Sequence, residues 1–398
     1  QGGQGDACAP WRWLCCELVG GGWPAPSPTM PSEAAPSEPT AGDAAPSGLA
    51  SRRARPPLKI PELSVAKVDP RRKITRIGEG KALTDFVELH DEICESDEHR
   101  STRLLNATCK RTSEEVIVKE RIKRAPVGGE KARMWDSLLT RILNLDGHAH
   151  VLGVRDVLED DDRYYILMDK CSGGELFDFL NCETDVPEKE CKRIMREILA
   201  AVEHIHSQGL IHRDIKPENI MFHLEPEVSS AKGKHTAGPT PRSASKLQSS
   251  LLSPRSTRSI RLIDFDSALE FEGNASPRQK NVVGTMGYIA PEALKGEYSP
   301  ASDLWSVGII MYMLMTGDMP FDNEIMDQVP DDTRCGSAIM DGIYNQLQRA
   351  KIDWECEPWP TFPQARDLCQ KLLAFAPSDR SPSALHALSH PWLQEHPR

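Results

Sequence analysis

Nine consecutive residues, Ile211-His212-Arg213-Asp214-Ile215-Lys216-Pro217-Glu218-Asn219, constrain this chain more than any other stretch. They place a carboxylate (Asp214), an ammonium (Lys216) and an amide (Asn219) within one short loop. A positioned carboxylate accepts a proton from a hydroxyl, a lysine meets phosphate oxygens, and an amide oxygen suits a hard metal ion. Together they suit phosphoryl transfer, where catalysis is mostly positioning and charge stabilisation. Just before the loop, Ile194, Ile198, Val202 and Ile205 recur at helical spacing, which predicts a helix over 188–208 that feeds the loop. His204 and His206 on that helix read as packing residues, not as metal ligands.

Other motifs follow in a fixed order. Ile77-Gly78-Glu79-Gly80 opens a strand-like region, and Val116-Ile117-Val118-Lys119 reads as a strand. Tyr164 to Met168 reads as a central strand with Asp169 after it, followed by Gly173-Gly174-Glu175-Leu176-Phe177. Beyond the loop come Asp264-Phe265-Asp266, the run Gly284-Thr285-Met286-Gly287-Tyr288-Ile289-Ala290-Pro291-Glu292, Asp303-Leu304-Trp305-Ser306-Val307-Gly308, and Arg380. From about Ile74 to Leu393 the chain resembles a eukaryotic protein kinase of the serine/threonine type, in general pattern the calcium/calmodulin-dependent and calcium-dependent group.

The resemblance implies an α+β, two-lobed protein kinase fold over 72–393: a small antiparallel β-sheet lobe with one helix (72–169) and a larger, mainly helical lobe (170–393). It implies ATP as phosphate donor and magnesium as the metal, with manganese as a second candidate. Asp214, Lys216, Asn219 and Thr285 take the catalytic roles, and Asn219 and Asp264 hold metal. Gly78, Gly80, Val87, Lys119, Met168 and Asp169 line the ATP site. Glu175 and Glu218 are substrate-binding: they face an arginine upstream of the phosphoacceptor, because carboxylates grip guanidinium in a two-pronged way. Asp303 is a structural acid, and Arg380 pairs with Glu292 in the large lobe.

Four positions depart from the family pattern, all where nucleotide would be held. Leu83 stands at the third glycine, Ile117 at a small alanine, Leu138 near the helix glutamate, and Asp266 at the glycine after Asp-Phe. A pseudokinase, a binding or scaffolding module with the same fold, is the alternative these suggest. Asp266 either narrows the backbone freedom of its segment or adds a second carboxylate beside the metal. Arg213 pairs in the family with a phosphate on the activation segment, yet the usual position is Asn281. Constitutive ordering and phosphorylation at Ser276 both stand as explanations.

Outside the motifs, residues 1–60 are rich in Pro, Ala, Ser and Gly and are expected to be a disordered tail. Arg52, Arg53 and Arg55 in it read as a solvated linker or a nuclear signal. A polar insertion at 224–259 interrupts two short strands and must loop out to solvent. Thr240-Pro241 and Ser253-Pro254 within it, like the activation segment, are candidate sites for an upstream kinase. The net charge of −11 argues against a nucleic-acid partner and suits basic protein substrates. Eleven cysteines without a Cys-x-x-Cys pair favour free thiols in the cytosol or nucleus. The lack of a long apolar run predicts no membrane partner.

Overall fold

The computed structural model describes residues 71–95, 102–123, 130–145, 147–183, 185–224, 258–273, 278–322, 325 and 332–394. The expected tail with its arginine cluster, Thr240, Ser253 and Ser276 lie outside the described residues.

The small lobe is a six-stranded sheet: β1 (Thr75–Arg76), β2 (Val87–Glu95), β3 (Thr102–Cys109), β4 (Glu115–Ile122), β5 (Val154–Glu159) and β6 (Arg163–Asp169). Its spatial order is β1-β5-β6-β4-β3-β2. All pairings are antiparallel except β1 with β5, so the expected antiparallel sheet carries one parallel edge strand.

Period-two alternation divides the side chains of the sheet between two faces. Val116 and Val118 of β4 join Leu105, Ala107, Leu158 and Leu167 in one buried cluster. Ile117, Lys119 and Arg121 therefore point to the other face. There α1 (Glu130–Leu143) packs Leu139 and Leu143 on Val157, Tyr164 and Ile166.

The large lobe is mainly helical: α2 (Leu176–Cys182), α3 (Glu188–Ser207), α4 (Pro300–Thr316), α5 (Ala338–Arg349), α6 (Pro363–Leu372) and α7 (Ala384–Leu388). Ile194, Ile198, Val202 and Ile205 of α3 are all buried, as their spacing predicts. Two short antiparallel pairs lie beside these helices: β7 (Leu210–Ile211) with β10 (Leu269–Glu270), and β8 (Ile220–Leu224) with β9 (Arg258–Leu262). Leu224 and Arg258 are partners at the end of the second pair, so the insertion expected at 224–259 shortens to 225–257, which lies outside the described residues. Arg258 closes its base, with Glu190 at 2.8 Å and its guanidinium over the rings of Phe179 and Phe222.

Helix α4 is apolar almost all round and is buried from Ser302 to Leu314, the signature of a core helix. Pro300 starts it and Gly317 ends it in the left-handed conformation. Gly308 brings it against α6: a Cβ there would lie 2.9 Å from Leu373 Cδ2 and 3.0 Å from Leu372 Cβ. Gly308→Val is accordingly expected to destabilise the chain by about 1–3 kcal/mol, read from denaturant unfolding, because neither neighbour is free to retreat.

Candidate active site

The loop after β7 is pinned from below by a buried acid. The Asp303 carboxylate, 1% exposed, accepts from the backbone N–H of His212 (2.8 Å) and of Arg213 (2.9 Å) and pairs with His206 Nε2 (2.8 Å). Burial pushes the Asp303 pKa up, but the bond and charge of His206, with the His212 contacts, outweigh it and hold the group below its usual range. His206 is thus more than the packing residue its helical position suggests, and only the fold brings it to Asp303. Arg213 takes a left-handed φ of +69°. Gly284 passes so close that a Cβ there would meet the Arg213 carbonyl oxygen at 2.5 Å, and its own φ is +121°.

The four residues expected to act together do meet. Thr285 Oγ1 donates to Asp214 Oδ1 at 2.7 Å and accepts from Lys216 Nζ at 3.0 Å. Asn219 Nδ2 donates to the Asp214 carbonyl at 2.8 Å and to its Oδ2 at 3.1 Å. That leaves the Asn219 amide oxygen for a hard cation. With the Asp264 carboxylate it forms an all-oxygen donor pair of the kind magnesium uses together with water and phosphate oxygens, so these residues fit the implied metal.

Lys119 is 8% exposed, and its Nζ lies 2.8 Å from Asp264 Oδ1 and 2.9 Å from Asp266 Oδ2. Burial works against its charge, yet the Asp266 and Asp264 carboxylates outweigh that and hold its pKa above the ordinary lysine value. Burial likewise opposes ionisation of Asp264, and Lys119 overcomes it, so the Asp264 pKa is lowered. Asp266 also pairs with Arg121, whose guanidinium stacks 4.1 Å from the centre of the Trp135 ring on α1. Arg121 and Trp135 were not apparent as site residues. The available signal was the two-residue step from Lys119 to Arg121, which puts both on one face of β4. Helix α1 is tied to the large lobe elsewhere: Ser137 donates to Glu270 at 2.8 Å, and Arg141 donates to the Gln208 carbonyl at 2.8 Å.

Met168 pairs with Ile117 across β6 and β4, so both lie on the face that carries Lys119. Asp169 points to the opposite face, where its carboxylate meets Arg155 and Arg261. Its backbone N–H is bonded to the Gly153 carbonyl at 3.1 Å and is not open to a nucleotide.

The glycine assignments need correction. Gly78 and Gly80 form a turn after β1, with Lys81 N–H donating to the Gly78 carbonyl at 3.1 Å. The chain then buries Leu83 and Val87 in the cluster with Val116 and Val118, on the face away from Lys119. Val87 therefore packs in the outer core rather than on an adenine, and Leu83 is a core residue rather than a lost glycine. In kinases the lysine strand is third in the sheet, after the strands joined by the glycine-rich loop. Here the strands before β4 are β2 and β3. Their connection includes Ser96-Asp97-Glu98-His99-Arg100-Ser101, which has no glycine and lies outside the described residues.

At the substrate end, Glu175 caps α2 and Glu218 sits in the catalytic loop. Burial, and for Glu175 also Asp178 and Glu218, raises both carboxyl pKa values. Glu218 Oε2 is buried with no hydrogen-bond partner. The activation segment leans on the chain just before α5: Val282 N–H donates to the Thr333 carbonyl (2.8 Å) and Cys335 N–H to the Lys280 carbonyl (2.9 Å). Asn281 forms a bridge with Arg334, and Arg213 lies over the Tyr298 ring at 5.2 Å.

Comparison with known proteins agrees with this geometry. A family model described as protein kinase domain matches residues 101–393. Calcium-dependent protein kinase 7 of Oryza sativa subsp. japonica is 32% identical over 255 residues, 63% of this chain and 38% of that protein. Calcium-dependent protein kinase 11 of Arabidopsis thaliana is 32% identical over 253 residues, 63% of this chain and 41% of its own length. The match thus spans about two fifths of these relatives. With the two-lobed fold, the pinned catalytic loop and a family model covering most of its length, the chain belongs to the protein kinase family.

Proposed function

We propose that this chain transfers the γ-phosphoryl group of ATP to serine or threonine hydroxyls of protein substrates. The observation that carries the reading is the Asp214–Thr285–Lys216 contact set, with Thr285 Oγ1 2.7 Å from Asp214 and 3.0 Å from Lys216. Asp214 orients the hydroxyl and takes its proton, while Lys216 and Lys119 meet phosphate charge. Asn219 and Asp264 would hold magnesium, which supplies charge neutralisation at the phosphates when bound. Manganese is the alternative ion. The backbone support of the activation segment by 333–335 favours constitutive ordering over a required phosphate. The seven cysteines whose side chains are described are all unpaired, which fits residence in the reducing cytosol or nucleus.

The unpartnered Glu218 Oε2, with Glu175 nearby, favours substrates bearing arginine before the phosphoacceptor. Offered matched peptides with Ser, Thr or Tyr, the chain should modify the first two; labelling of tyrosine alone would contradict the reading. Glu218→Gln is expected to lower kcat/KM for an Arg-x-x-Ser peptide about tenfold, with little change for the Ala-x-x-Ser peptide. The preference should also depend on pH. A raised glutamate pKa means that the charged form, and so the arginine preference, is complete only above that pKa. The preference fades as pH falls through it, earlier than for an ordinary glutamate. The ratio of kcat/KM for the two peptides, followed from about pH 7.5 to about pH 5.5, checks this.

The alternative is a scaffold with the kinase fold and no turnover. It is favoured by the glycine-free connection between β2 and β3.

A further inference from the structure

Helix α1 offers Lys119 no carboxylate at the family's position. Leu138 stands there, 7% exposed, and Asp136 accepts a hydrogen bond from the Tyr164 hydroxyl instead. We propose that Asp266, where the family has glycine, positions Lys119 in place of a helix glutamate, so that the metal-binding segment itself aligns the lysine for nucleotide phosphates. The inference rests on the kinase reading of the site.

Three observations carry it. Asp266 Oδ2 is 2.9 Å from Lys119 Nζ, in a setting where the ammonium is almost wholly removed from water and needs a partner. Asp266 is itself held: its backbone N–H donates to Asp264 Oδ1 at 3.3 Å and its carboxylate pairs with Arg121. Arg121 in turn stacks on Trp135 of α1, so the helix reaches Lys119 through Trp135, Arg121 and Asp266. Asp264 also contacts Lys119, but it is the residue that would turn to a metal ion. Asp266 then remains as the partner of the lysine. The helix is meanwhile fixed to the large lobe by Ser137 and Arg141, so its placement needs no lysine–glutamate pair.

The test is ADP binding by calorimetry, with and without magnesium, for the wild type and for Asp266→Asn, Asp266→Gly, Asp266→Glu and Lys119→Met. Asp266→Asn and Asp266→Gly should each weaken ADP binding about tenfold, and Asp266→Glu should recover most of the loss. Added to Lys119→Met, Asp266→Asn should weaken it little further, because both act through one contact. The KM for peptide should stay as in the wild type, which a general loosening of the fold would not allow. ADP affinity unchanged in Asp266→Asn, improved in Asp266→Gly, or additive with Lys119→Met would overturn the proposal, as would a wild type that binds no ADP. A wild type that binds ADP yet transfers no phosphate would sink the proposed activity while leaving the ADP comparison to decide on Asp266.

Discussion

Replacing Arg380 with alanine is expected to destabilise the chain by about 3–5 kcal/mol. That corresponds to a fall on the order of 10 °C in the unfolding midpoint. The Arg380 side chain is fully buried and grips Glu292 in a fork, with Nη1–Oε1 at 2.6 Å and Nη2–Oε2 at 2.7 Å. It also donates to the carbonyls of Ala374, Ala301 and Phe375, and it stacks 5.0 Å from the Trp305 ring. Removal therefore leaves a buried carboxylate without its counter-charge, although Ser302 Oγ still donates to it at 2.9 Å, and takes one donor from each of three carbonyls. Arg380→Lys keeps a charge but cannot reproduce the planar fork, so it should fall between alanine and wild type. Replacing Arg380 and Glu292 together with methionine should cost less than Arg380→Ala, since no charge is then left unpaired. Denaturant unfolding of the set checks this; an alanine variant within about 1 kcal/mol of wild type would show that the pair holds nothing together.

Asp214→Asn is expected to lower kcat by about 10²–10⁴-fold, the range for loss of a positioned general base. Asparagine keeps the size of the residue and its contact with Thr285, so ADP affinity and thermal stability should change little. A variant that retains most of its turnover would remove Asp214 from the proton transfer. Lys119→Met should behave differently, with a large rise in the KM for ATP, because Lys119 acts on the nucleotide. The split between the two variants separates proton handling from phosphate handling.

The large lobe was legible in the sequence because its signals are local and self-supporting. A catalytic loop of nine contiguous residues and a four-point apolar stripe on α3 each predict their own surroundings. The small lobe was less so. A Gly-x-Gly pair matches many turns, and the segment between Gly80 and Lys119 holds two whole strands before β4, with Val87 alternating into the outer face. Misplacing the glycines made Leu83 look like a defect, whereas it is a core residue. The partners of Lys119 were hidden for another reason: Asp264 and Asp266 lie far along the chain, and only tertiary packing brings them to β4. The same holds for His206 and Asp303, whose pairing depends on how α3 crosses α4.

The most direct measurement is transfer of labelled phosphate from ATP to an Arg-x-x-Ser peptide by the wild-type chain, with magnesium and then manganese, beside Asp214→Asn. The structure predicts transfer with at least one metal and its near-complete loss in the variant. Folded, ADP-binding wild-type protein that transfers nothing with either metal would contradict an active kinase and leave the scaffold reading in its place.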